Sequence, residues 1–135
     1  MTKTVEAACG VIIKDKKVLL IQRSEYEKKF PLYWGFPGGK KEKDESVEEA
    51  SIREVKEEVN LDFLITKLVG VYPFDLTDKH VLSYAFLGES DGNIKINQAE
   101  VKTYGWFTYK QSKKLDLAFS YEKLLDDLHQ KKLIK

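Results

Sequence analysis

GGKKEKDESVEEASIREVKEEVNL, residues 38–61, joins a helix-start signal to a crowd of carboxylates. Ser46 is followed three positions later by Glu49. This is a capping box, in which the hydroxyl accepts from the N3 amide and the glutamate accepts from the N-cap amide, so a helix is predicted to start at Ser46. At ~100° per residue, Ile52, Val55 and Val59 form a narrow apolar stripe suited to face a sheet, while Glu49 and Lys56 point into water. A third face carries Ala50, Glu54, Glu57 and Glu58, its carboxylates within an arc of roughly 100° and with no obvious cationic partner. Glu54 and Glu58 are a like-charge i,i+4 pair, repelling by about 0.2–0.5 kcal/mol. Glu57 and Glu58 also oppose the negative end of the helix dipole. A divalent cation reverses both penalties, because hard Mg²⁺ takes oxygen ligands from carboxylates, phosphates and water. The alternative is a plain solvated acidic face. Against it stands Pro37-Gly38-Gly39, immediately before the helix, where glycines permit close backbone approach to a ligand.

Outward from this helix the chain alternates strand and turn signals. Val5 to Ile13 and Val18 to Ile21 are β-branched runs joined by the polar tetrad Lys14-Asp15-Lys16-Lys17, which predicts a hairpin. Ser24 to Leu32 reads as a loop delivering Tyr33-Trp34-Gly35-Phe36 to a short strand. Asp62 to Tyr72 and His80 to Leu87 favour strands, connected around Pro73 to Lys79, and Ser90 to Asn93 favours a turn. Tyr104 to Phe107 is a last short strand. Leu115, Leu117, Phe119, Leu124, Leu125 and Leu128 suggest helical packing, clearest from Tyr121 to Lys132. Strands broken by two helices predict an α/β or α+β fold.

Composition bounds the function. The 135 residues suit one domain, 1–135, and 42% apolar with 33% charged residues is a globular balance. A net charge of +1 lacks the cationic excess expected of a protein that binds a nucleic acid polymer or a membrane surface. Neither a leader pattern nor a run of ~20 apolar residues is found, so a cytoplasmic location is expected. The one cysteine, Cys9, lies in the apolar run AACGVII and reads as a buried strand residue.

Gly39, five residues, Glu45, seven residues, then Arg53-Glu54-Val55-Lys56-Glu57-Glu58-Val59-Asn60-Leu61 resembles the signature box of the Nudix hydrolases, with eight of nine specified positions matched. The departure is Asn60, where the family has glycine; Asn is the next residue best able to adopt the left-handed conformation of a helix C-terminus. The resemblance extends more loosely to Leu20-Ile21-Gln22-Arg23, to Trp34-Gly35-Phe36-Pro37-Gly38-Gly39, and to Glu100 six residues before Trp106.

It implies a mixed β-sheet sandwiched between α-helices, and Mg²⁺- or Mn²⁺-dependent attack of water on a pyrophosphate of a nucleoside diphosphate linked to another group. It further implies that Glu54, Glu57 and Glu58 hold metal, with the Gly38 carbonyl and Glu100 as further ligands. Arg53 and Glu45 are partners that fix the loop against the helix and orient the carboxylates. Glu54 and Glu100 are the two candidates for the base that takes the water's proton. Arg23, Trp34, Gly39 and His80 are expected at the substrate, with Phe74 and Tyr84 as further aromatics able to stack on a base. Family sub-signatures for ADP-ribose, dinucleoside polyphosphate and coenzyme A substrates are not found. A nucleoside triphosphate or modified nucleotide therefore leads, ahead of a nucleotide sugar or ADP-ribose, or of a non-catalytic ligand sensor. The resemblance also admits a homodimer.

Overall fold

The computed structural model describes residues 2–135. Strand β1 (Lys3–Lys14) turns into β2 (Lys17–Arg23) through Asp15 and Lys16, which have φ of 53° and 64°. Two left-handed residues match the twist of a tight hairpin, so the polar tetrad closes as expected. Short β3 (Trp34–Gly35) and β4 (Gly38–Lys40) follow, then helix α1 (Val47–Val59). Next come β5 (Asp62–Asp75), β6 (Lys79–Asp91), β7 (Val101–Phe107), α2 (Tyr109–Ser112) and α3 (Tyr121–Gln130).

The sheet runs β3-β2-β1-β6-β5, with β4 also on β1 and β7 also on β2. It is mixed: β1 pairs parallel with β6 from Lys3↔Lys79 to Ile12↔Gly88 and antiparallel with β2 and β4. Period-2 alternation sends Ala8, Ile12, Leu19 and Ile21 to one face, where Ala50, Val55 and Val59 of α1 cover them. It sends Cys9, Val11, Val18 and Leu20 to the other, beneath Leu124, Leu125 and Leu128 of α3. Each of those three leucines is essentially inaccessible, and burying such a side chain contributes about 1.5–3 kcal/mol. The sheet is thus sandwiched between helices.

Several expectations are corrected. Ile52 does not face the sheet but is 41% exposed. The buried face is rotated to Ala50, Ser51, Val55, Glu58 and Val59, because Ser51 Oγ donates to the Cys9 carbonyl at 3.0 Å and draws its side of the helix onto β1. Leu115, Leu117 and Phe119 are not helical: Trp34 N–H donates to Asp116 O at 2.7 Å and Ala118 N–H to Trp34 O at 2.9 Å, laying this segment beside β3. The helix starts at Tyr121 and stops at Gln130. Strand β5 continues through Pro73 to Asp75, which an edge strand tolerates because proline's missing N–H breaks no inner ladder. β7 begins at Val101, three residues before the expected start.

Candidate active site

Helix α1 presents its acids as the capping box requires. Glu49 N–H donates to Ser46 Oγ at 3.0 Å, Ser46 N–H donates to Glu49 Oε1 at 2.8 Å, and Asn60 closes the other end at φ 65°. Here Glu58 is 6% exposed, and its Oε1 accepts the Gly38 N–H at 2.7 Å. Burial pushes its carboxyl well above the ordinary 4.5, and the Glu54 charge adds to this. Glu54 is likewise raised by burial, against the opposing pull of Arg53, and Glu100 by burial and then by Glu27 and Glu57.

Glu100 comes from the loop before β7. That loop is pinned at both ends. Asn97 N–H donates to the Glu58 carbonyl at 3.0 Å, Ser24 N–H donates to the Glu100 carbonyl at 2.9 Å, and Ser24 Oγ donates to the Ala99 carbonyl at 3.1 Å. As a result carboxylate oxygens of Glu54, Glu58 and Glu100 all lie within 4.8 Å of one another. Three oxygen donors crowded into a partly buried site, each with its protonated form favoured by that burial, fit a hard divalent cation. Glu57 lies outside this trio, its side chain 46% exposed and its Oε2 accepting from Arg53 Nη1 at 3.2 Å.

The supposed lack of cationic partners is also corrected, because Arg53 supplies one. Its Nε and Nη2 fork onto Glu45 at 3.0 and 2.7 Å, Nη1 donates to Glu54 Oε1 at 2.7 Å, and Nη2 also donates to the Lys40 carbonyl at 3.1 Å. The guanidinium holds the Glu45 carboxyl down at about 2 and ties the preceding loop, β4 and the acidic face together.

The two glycines matter for space rather than for dihedral freedom. A Cβ on Gly39 would stand 2.7 Å from Glu54 Oε2, and one on Gly38 would stand 2.4 Å from the Ala8 carbonyl oxygen.

A cavity of about 300 Å³ opens over this cluster, with Gly38, Gly39, Glu54, Glu58 and Glu100 at one end. Cations Arg23, Lys29, Lys40 and Lys79 also line it, as do Phe74 and Phe119. Arg23 is held by Lys29 O, by Glu27 and by the Phe119 ring, 5.2 Å from its Cζ. His80 is not among the lining residues. It alternates with Lys79 and Val81 to the other side of β6, where Asp75 engages its ring. Trp34 also misses the cavity, packing edge-on against Phe107 at 5.2 Å in the core. Tyr84 is not on the lining either. Ser24, read as the start of a loop, and Phe119, read as helical packing, were not expected at the site, since neither belongs to a local pattern with the acidic helix.

Residues 3–128 match a family model described as the NUDIX domain. An ADP-ribose pyrophosphatase of Methanocaldococcus jannaschii is 37% identical over 90% of this chain and 70% of its own length. An 8-oxo-dGTP diphosphatase of Proteus vulgaris is 32% identical over 63% of this chain and 76% of its own. Among solved structures, the MutT protein of Methanosarcina mazei Go1 superposes with a TM-score of 0.82 at 27% identity, covering 96% of this chain and 93% of that one.

Proposed function

The chain belongs to the Nudix hydrolase family, and from that premise we propose that it uses Mg²⁺, with Mn²⁺ as substitute, to hydrolyse a pyrophosphate bond of a nucleoside triphosphate or modified nucleotide. The observation that carries this reading is the convergence of Glu54, Glu58 and Glu100 at one end of a cavity that also presents Arg23, Lys29 and Lys79. Anion-binding and cation-binding groups share one space, as a metal-assisted phosphoryl reaction requires.

Glu54, Glu58 and Glu100 would hold the cation, with the Gly38 carbonyl on the same lining and Glu57, one turn along α1 and off the lining, as further candidates. When bound, it supplies neutralisation and polarisation of the phosphoryl oxygens. Arg53 fixes Glu54 through Oε1 and so orients Oε2, which would take the proton of the attacking water. Arg53 and Glu45 keep that carboxylate in place. Arg23 contributes a charged donor to the phosphate chain, and the Gly39 backbone permits the chain to lie close to Glu54.

A second reading, hydrolysis of ADP-ribose, is favoured by the similarity to the archaeal ADP-ribose pyrophosphatase. Incubation with Mg²⁺ and nucleoside triphosphates, 8-oxo-dGTP, ADP-ribose and UDP-glucose, with products separated by ion-exchange chromatography, discriminates these. Metal-dependent appearance of a nucleoside monophosphate from triphosphates supports the first reading, and preferential cleavage of ADP-ribose the second. Binding without any product would leave a ligand sensor.

A further inference from the structure

Three aromatic rings from three separate segments meet beside the acidic trio. Phe30, Phe74 and Phe119 contact one another edge to face, with centroids at 5.7 Å (Phe30–Phe74), 4.8 Å (Phe30–Phe119) and 5.7 Å (Phe74–Phe119). Phe30 and Phe119 have φ of 50° and 49°, a left-handed conformation that bulky residues rarely adopt. Contacts flank both: Arg23 lies over the Phe119 ring and Ala118 N–H donates to the Trp34 carbonyl, while the Phe30 carbonyl accepts the Tyr33 N–H at 3.2 Å. Backbone strain of this kind concentrates where a side chain must be aimed at a ligand. Phe74 and Phe119 line the cavity together with Leu76, Val81 and Val5, and Phe30 supports them from behind.

We propose that this aromatic wall receives the substrate's nucleobase and recognises it by packing rather than by reading its hydrogen-bonding edge, so that purine and pyrimidine nucleotides are both accepted. The inference rests on the nucleotide-hydrolase reading above and adds base tolerance to it. Among the described residues, the cavity lining contains no Asn, Gln, Asp or His. Its one acid outside the trio, Glu27, is engaged by Arg23 at 3.3 Å. The hydroxyls of Ser83, Ser120 and Tyr121 donate or accept alike, Lys29 is drawn toward Asp78 at 3.8 Å, and Lys40 and Lys79 are point-charge donors on flexible stems. Every base offers a π face, whereas fixed edge-reading groups are what reject the wrong one. Apolar contact alone separates similar ligands by roughly 10–200-fold, against about 10⁴–10⁵-fold for matched hydrogen bonds.

The test is calorimetric binding, with Mg²⁺, of non-hydrolysable α,β-methylene analogues of ATP, GTP, CTP and UTP, alongside the base-free methylene triphosphate. The four Kd values are expected to span less than about 200-fold, and the base-free compound to bind at least about tenfold more weakly than any of them. Phe74→Leu, placed in a regular strand, is expected to weaken all four by about tenfold, within the range base–aromatic stacking supplies, and to leave the base-free compound unchanged. Phe119→Leu, which also removes the ring beneath Arg23, is expected to weaken the four nucleotides more than the base-free compound. One base preferred beyond about 200-fold, base-free binding as tight as nucleotide binding, or no nucleotide binding overturns the inference. Turnover is scored separately: tolerant binding with no product from any natural nucleotide refutes the hydrolase reading and leaves base tolerance standing.

Discussion

Alanine at Gly39 and alanine at Gly38 should fail in different ways. At Gly39 the new Cβ would lie 2.7 Å from Glu54 Oε2 and 2.8 Å from its Cδ. To reach ordinary contact near 3.4 Å the carboxylate must retreat by about 0.7 Å, stretching its 2.7 Å bond to Arg53. The atoms displaced belong to the far end of a flexible side chain, so the fold should survive. A displacement approaching 1 Å at a reacting group lowers rate by up to about 10²-fold, so kcat is expected to fall roughly 10- to 100-fold, equivalent to about 1.4–2.7 kcal/mol of barrier. At Gly38 the Cβ would meet the Ala8 carbonyl oxygen at 2.4 Å and Cys9 Cα at 2.6 Å, both backbone of the central strand. Overpacking of this kind costs about 1–3 kcal/mol or more, which lowers Tm by roughly 3–10 °C. Steady-state kinetics with Mg²⁺ and thermal melts by circular dichroism read the two effects. Wild-type kcat in a folded Gly39→Ala protein, or equal losses of stability in both variants, would refute the reasoning.

Glu58→Gln should lower kcat by about 10²- to 10³-fold, the scale of removing one electrostatic catalytic group, with the fold retained. Glu57→Gln should lose less, because Glu57 is half exposed and outside the trio; equal losses in kinetic assays would restore it to the primary ligands. Stability of the metal-free protein should fall as pH rises above 4.5, the ordinary value from which Glu54, Glu58 and Glu100 are all raised. In that window the folded state binds more protons than the unfolded one, so the slope is negative. Glu45, held at about 2, acts oppositely but only below 4.5. Mg²⁺ should therefore raise Tm more at pH 8 than at pH 5, and a flat or reversed difference in melts would contradict this. Tyr72→Phe removes a 2.6 Å hydrogen bond to Asp127 Oδ2 that joins β5 to α3. A loss of about 1.5–3 kcal/mol is expected in urea unfolding, and an unchanged midpoint would show that the bond contributes nothing.

Features that depend on neighbours within a few residues are legible along the chain. The Ser46–Glu49 box, the Asp15-Lys16 turn and the left-handed Asn60 follow from i,i+3 spacing and single-residue dihedral preference, and the structure shows all three. The convergence of Glu54 and Glu58 follows equally from i,i+4 geometry. The β-branched runs also located β1, β2, β5 and β6, although Pro73 suggested an earlier stop than an edge strand needs. The rotation of α1 that exposes Ile52 and buries Glu58 was hidden, because a single bond from Ser51 to the Cys9 carbonyl sets it across 42 positions.

Which distant groups join the acids is set by packing, and for Glu100 no local pattern indicated it beyond the family resemblance. Glu100 reaches Glu54 and Glu58 because Ser24 and Asn97 tether its loop, while Arg53 spends its donors on Glu45, Glu54 and Lys40 and draws Glu57 aside. His80 and Trp34 were separated from the cavity by strand alternation and core packing, and Phe119 was brought into it by a backbone conformation that no local preference favours. Helical and turn geometry is set by short-range sterics and so can be read along the chain. The partner of a charge or a ring is set by which surfaces close against each other, and that is fixed only when the sheet and its two helices have packed.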